Sequence, residues 1–160
     1  MDARERIERE TVLREARSWV GTRFHTRQAV KARWEGGVRV DPGGVDCATL
    51  IAEVYRRAGL IEPVPMPQYP GDWHLHRKTE MYAGLVGERA REIPMDQVLP
   101  GDLVMFKFGH VYSHAAIVMA PGWPRICHAS FKAECVHLDD GEQGMLAPRP
   151  KKFFSLWGRP

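Results

Sequence analysis

An α+β domain, with N-terminal helices packed on a central antiparallel β-sheet, is predicted by three features of the sequence. Helical periodicity is confined to the first part of the chain. Beyond Leu99-Pro100-Gly101 the texture changes to short apolar runs separated by turn residues, which reads as a strand meander. The length of 160 residues, with 44% hydrophobic and 27% charged residues, fits a single globular domain over 1–160 with a core that needs no disulfide staples.

Ala3 to Val20 (within 1–20) reads as an amphipathic helix, with Ile7, Val12, Leu13, Ala16, Trp19 and Val20 as its apolar line and Gly21 as its stop. Residues 22–45 mix basic, aromatic and glycine residues and close on Asp41-Pro42-Gly43-Gly44, which is loop chemistry. Asp46 to Gly59 (46–59) is the clearest helix. Leu50, Ile51, Val54, Tyr55 and Ala58 share a face, Asp46 is placed as N-cap, and Gly59 ends it. A stretch with Pro63, Pro65, Pro67 and Pro70 follows as irregular chain, a cleft wall or a lid. Trp73 to Arg91 reads as a third helix, with Gly84 and Gly87 as points of interruption. Strands are expected at Asp102–Phe108, His114–Met119, Arg125–Ala129, Glu134–Leu138 and Phe153–Trp157, all within 102–157.

Composition excludes several classes of function. The net charge is +3, and the five arginines of residues 1–17 are cancelled by Asp2, Glu5, Glu8, Glu10 and Glu15. The one basic run, Arg149, Lys151 and Lys152, is too sparse for a nucleic-acid footprint. No apolar run approaches the roughly 18 residues that span a bilayer, and the charged amino terminus is unlike a signal peptide. Three cysteines cannot all pair, which points to a reduced compartment and to one thiol kept for its chemistry.

Cys47 follows Gly43-Gly44-Val45-Asp46 at the first turn of the clearest helix. Unpaired N–H groups and the positive end of the helix dipole stabilise a thiolate there, and the same groups suit a developing oxyanion. A buried structural cysteine fits the position equally well. A nucleophilic thiol needs a base, and His114, placed at a strand's first residue, is the natural candidate, with His110 as its rival. His128 ends the next expected strand. In an antiparallel hairpin the start of one strand lies near the end of the other, so His114 and His128 are expected to be neighbours.

These residues carry a family resemblance. Gly44-Val45-Asp46-Cys47-Ala48-Thr49-Leu50-Ile51 resembles the nucleophile motif of the NlpC family of cell-wall cysteine peptidases, usually Asp-Cys-Ser-Gly-Leu. Pro100-Gly101-Asp102-Leu103-Val104-Met105-Phe106 resembles its Pro-Gly-Asp-Leu strand, His114-Ala115-Ala116-Ile117-Val118 its His-Val-Gly-Ile strand, and His128-Ala129-Ser130 its third catalytic position. Tyr69-Pro70-Gly71-Asp72-Trp73-His74 is similar to a segment of the compact variants encoded with phage tails and tail-like particles. The resemblance implies a papain-like fold in which Cys47 attacks an amide, His114 is base and then acid, and His128 orients His114. It implies peptidoglycan peptide as substrate and places Phe24, Asp46 and Ala48 at the substrate. It implies other tail or hub proteins as partners, synthesis in the cytoplasm without a signal peptide, and delivery to the periplasm or cell wall by the particle. Phe24 stands where many members have tyrosine, Ala48 replaces the usual serine, and Thr49 the usual glycine. The alternatives are a structural tail-hub protein that retains the fold, and an amidase or acyltransferase using the same Cys–His chemistry.

No cofactor or metal is expected. Cys127-His128 with Cys135-x-His137 offers two thiolates and two imidazoles, but strand alternation sends neighbours to opposite faces. His74 and His76 diverge by about 200° on a helix and suit surface positions or a rim of the active cleft.

Overall fold

The computed structural model describes residues 1–26, 28–63 and 88–158. Two helices, α1 (Ala3–Ser18) and α2 (Cys47–Arg57), precede the main sheet. Between them lie four short strands, β1 (Ala29–Val30), β2 (Arg33–Glu35), β3 (Val38–Asp41) and β4 (Gly44–Val45). The second half holds β5 (Arg91–Ile93), β6 (Leu103–Phe108), β7 (Val111–Val118), β8 (Arg125–Ser130), β9 (Cys135–Asp140) and β10 (Lys151–Ser155). These six form one antiparallel sheet in the order β5-β10-β6-β7-β8-β9. The α+β architecture with helices on a central antiparallel sheet is therefore the one expected. No helix among the described residues is long and apolar enough to cross a membrane.

Strand alternation sorts the sheet into two apolar faces. Leu103, Met105, Ala115, Ile117, Cys127, Ala129 and Val136 pack against Val12, Ala16, Trp19, Leu50, Ile51 and Val54 of the helices and their flanks. Val104, Phe106, Ala116, Val118, Ile126 and Phe153 form a smaller core on the opposite face, closed by Leu146 and Ile93.

Helix α1 starts where Asp2 accepts the Glu5 N–H at 2.8 Å. Its buried line is Arg9, Val12, Ala16 and Trp19; Ile7, expected inside, is 63% exposed. Arg9 takes the inward place. Its guanidinium donates to Asp102 Oδ1 and to the Pro100 carbonyl, both at 3.0 Å, and lies 3.9 Å over the Trp157 ring. A charged residue inside is invisible to a hydrophobic pattern, which explains the error.

Other boundaries also shift. The segment 22–45, expected as loop, contains β1 to β4. All seven residues of the β2–β3 hairpin are exposed, and although Val38-Arg39-Val40-Asp41 alternates apolar and polar types, the run is short and set among glycines. Val111, Tyr112 and Ser113, expected as loop, belong to β7, so His114 is its fourth residue, not its first. The strand expected to stop at Leu138 continues through Asp140, and the last strand runs Lys151–Ser155, short of Trp157. The expected helix Trp73–Arg91 falls almost wholly outside the described residues. Glu88 and Arg89 are helical, but Arg91 already opens β5. Tyr69 to His74, His76 and most of the proline-rich stretch lie outside the described residues as well.

Candidate active site

The site begins with how α2 starts. Gly43, at φ +60°, runs so close to Val30 and Lys31 that a Cβ there would meet their backbone, and a Cβ on Gly44 would meet the Gln28 side chain. The chain turns through this tight space into a closed cap. Asp46 Oδ1 accepts the Thr49 N–H at 2.8 Å, and Thr49 Oγ1 accepts the Asp46 N–H at 2.9 Å. This reciprocal box fixes the first turn, so Thr49 serves the helix start rather than crowding it. Cys47 follows directly, partly exposed and outside any disulfide.

On the sheet side, an irregularity prepares the facing surface. The β6–β7 register pairs Phe106 with His114 and Lys107 with Tyr112, leaving Ser113 as the extra residue of a bulge. Bulges re-aim side chains beside functional sites. Here the bulge brings the Ser113 carbonyl within 3.7 Å of Cys47 Sγ, and the next residue is His114. The β7–β8 ladder is registered only at Ile117–Cys127 and Val118–Ile126, so the strands part toward this end. Helix α2 packs against both of them, with its N-terminus at the bulge.

His114 Nε2 and His128 Nδ1 are 2.7 Å apart across the two strands, as the hairpin argument expects. His128 Nε2 is in turn 2.9 Å from Asp139 Oδ2. The carboxylate can only accept, so His128 donates from Nε2 and accepts at Nδ1; His114 then donates from Nε2 and keeps its Nδ1 lone pair. His114 lies among Phe106, Phe108 and His128. Burial, with His128 adding to it, pushes it down to about 3, so the ring is neutral at neutral pH. Burial also lowers His128, against the opposing pull of Asp139. Burial by itself would raise the Asp139 carboxyl, but the Asp140 N–H and His128 together hold it below its ordinary value.

Ser113, His114, His128, Phe108, Phe131 and Met145 wall a cleft of about 670 Å³. Cys47 does not itself line it but borders it through Ser113. Phe24 pairs with Val45, two residues before Cys47, and meets Phe131 edge-to-face at 5.6 Å. Ala48 is buried in the helix-side core, and Asp46 is buried in the cap. His110, the rival base, is exposed in the β6–β7 turn.

Two residues of the cluster escaped the sequence reading. Asp139 lies one residue beyond the strand end expected at Leu138, in a pair of aspartates, a residue type uncommon in strands. His137 entered only as part of a zinc pattern that the structure breaks up. Cys127 Sγ points to the helix face, 3.7 Å from the Ala16 carbonyl, while His128 and His137 face each other across β8 and β9 on the other side. Alternation continued through β9 puts His137 and Asp139 on one face, which is the signal that could have found both.

A thiol at a capped helix N-terminus, 3.7 Å from the carbonyl of the residue before a buried neutral imidazole, in a papain-like α+β fold, is an arrangement that a cysteine hydrolase can use. The chain belongs to the NlpC/P60 family, whose model matches residues 29–153, and whose peptidoglycan hydrolases are cysteine peptidases. Its fold is similar to that of the peptidoglycan hydrolase RipB from Mycobacterium tuberculosis, at 19% identity and a TM-score of 0.62, over 99% of this chain and 69% of that one. It is also similar to the P60 domain of the Mycobacterium avium subspecies paratuberculosis antigen MAP1204, at 18% identity and 0.59, over 96% and 98%. For NlpC1 from Trichomonas vaginalis the values are 16% and 0.60, over 92% of this chain and 43% of that one. The chain thus spans less than half the length of that protein and of its companion NlpC2. No curated protein sequence matches it.

Proposed function

We propose that the protein is a cysteine endopeptidase that hydrolyses amide bonds in the peptide part of peptidoglycan. The observation that carries this reading is the 2.7 Å pairing of His114 Nε2 with His128 Nδ1, beside the thiol that opens α2. Cys47 gives its proton to His114 Nδ1 as sulfur attacks the amide carbon, and the N-terminal end of α2 receives the oxyanion. His114 then returns the proton to the leaving amine as the C–N bond breaks. Water, deprotonated by the same ring, cleaves the thioester and restores the thiol. His128 keeps His114 in the accepting tautomer. Phe24, Asp46 and Ala48 are the proposed substrate-side residues, Phe24 through the aromatic wall at Phe131 and the buried Asp46 and Ala48 by holding the start of α2 in place beneath the substrate.

The setting proposed is a phage tail or tail-like particle that carries the domain to the cell wall, with tail or hub proteins as partners. The similarity of Tyr69 to His74 to the tail-encoded variants supports it.

The test is digestion of purified peptidoglycan by the wild type and by Cys47→Ala, with released peptides identified by mass spectrometry. Release that depends on Cys47 is expected. Absence of any Cys47-dependent release would favour a structural role in a tail hub, and transfer to an added amine in place of water would favour an acyltransferase.

A further inference from the structure

Behind His128 lies a second donor set that the peptidase chemistry does not use in full. His128 and His137 are directly opposed across β8 and β9, their rings stacked with centroids 4.9 Å apart and planes 26° from parallel. Asp139 lies two residues beyond His137, on the same face of β9. One donor atom from each of the three lies within 4.8 Å of the other two. Asp139 Oδ2 is 2.9 Å from His128 Nε2 and 3.5 Å from His137 Nε2. That His137 nitrogen is shielded from solvent and has no hydrogen-bond partner. A buried ring nitrogen left without a partner carries a cost that a ligand would remove.

We propose that His128, His137 and Asp139 form a Zn²⁺ site on the wall of the cleft. Zinc bonds to imidazole nitrogen and carboxylate oxygen are about 2.0–2.2 Å, so donor atoms at angles between 90° and tetrahedral stand about 2.9–3.5 Å apart. Two of the three edges already have that length, and the third is no longer than 4.8 Å. Two imidazoles and a carboxylate suit zinc rather than magnesium or calcium, which prefer all-oxygen shells. All three residues line the 670 Å³ cleft, so a fourth position is open to water or to a carboxylate of a bound peptide. This donor set differs from the Cys–His pairs expected from the sequence, whose Cys127 lies on the other face.

The site has a consequence for the histidine pair. Zinc at His128 Nε2 moves that ring's proton to Nδ1, which becomes a donor. His114 Nε2 must then accept, and its own proton shifts to Nδ1, the atom from which the thiol's proton acceptance is required. The number of protons is unchanged, but the base has become a donor. Zinc therefore switches the site off. This consequence rests on the proposed peptidase reading; the binding itself does not.

The test is a calorimetric titration of the full chain, stripped with chelator, with Zn²⁺, and a parallel Co²⁺ titration followed by visible absorption. Wild type and Cys47→Ser are expected to bind one equivalent with equal affinity. His137→Ala and Asp139→Asn should bind ~tenfold or more weakly. Far-UV circular dichroism checks that the variants fold, with His137→Gln as a substitute where His137→Ala does not. A flat wild-type titration would overturn the proposal. So would wild-type affinity in the His137 variant, or loss of binding in Cys47→Ser, which would move the metal to the thiol. None of these readouts depends on turnover, so an inactive protein and an absent metal site are told apart.

Discussion

Asp139 fixes the ring of His128 by accepting from its Nε2 at 2.9 Å, and thereby sets which nitrogen of His114 is left to accept a proton. The carboxylate acts through two rings without reaching the cleft chemistry itself. Asp139→Ala should lower kcat about tenfold or more with little change in KM, measured as initial rates of peptide release in metal-free buffer. Asp139→Asn, which still offers an oxygen, should lose less. Equal kcat for wild type and the alanine variant would show that His128 needs no such partner.

Thiol reactivity should be ordered. Cys47 is partly exposed at a helix N-terminus, whereas burial pushes the Cys127 thiol up to about 12. With limiting iodoacetamide at pH 8, Cys47 should be alkylated first. Cys127 should stay unmodified until the protein is unfolded, because below its raised value it remains the unreactive protonated form. Peptide mapping by mass spectrometry reads the order, and early labelling of Cys127 would contradict the packing of β8 against α1.

The cap on α2 predicts a stability effect at the very start of the helix that bears the thiol. Asp46→Ala removes the acceptor for the Thr49 N–H and should cost about 1–2 kcal/mol, read as a lower urea midpoint at unchanged slope. A midpoint equal to that of wild type would mean the helix start is held by its neighbours alone.

Arg9 and Asp102 form a buried pair, with side chains 7% and 1% exposed. Arg9→Met should destabilise by about 3–5 kcal/mol, because it strands a carboxylate whose proton affinity burial already raises. The double variant with Asp102→Asn should recover much of that loss. Denaturant melts of the four proteins form the cycle, and additive losses would deny the coupling.

How much of this was legible follows from where the signal resides. Leu50, Ile51, Val54 and Tyr55 repeat at helical spacing and are all buried, so α2 could be read to within two residues. The five expected strands exist as short apolar runs bounded by turn residues, with β6 and β8 buried on both faces over most of their length and β7 over half of it. The Cys47, His114 and His128 assembly was readable from order and motif. Its last member was not, because Asp139 continues a strand with a residue type that favours turns, and it is held extended by its pairing with Ile126 on the neighbouring strand. Arg9 shows the same limit in the helix. Its burial depends on Asp102, 93 residues away, and no local pattern carries that information. The Ser113 bulge, too, is a property of two strands and not of one.

Cys127 and His128 are adjacent in sequence yet face opposite ways, the sulfur into a dry interior and the imidazole toward the cleft. A slip of β8 by a single residue would exchange them, burying a ring among aliphatic chains and presenting a thiol to His114. Chemistry and correct strand alignment are therefore one property of this molecule. A chain that folds one step out of place is not a weakened version of the native protein but one with no imidazole where it is needed. On the proposed peptidase reading, turnover per molecule would count the correctly aligned fraction of a preparation, which would make activity a direct gauge of folding fidelity.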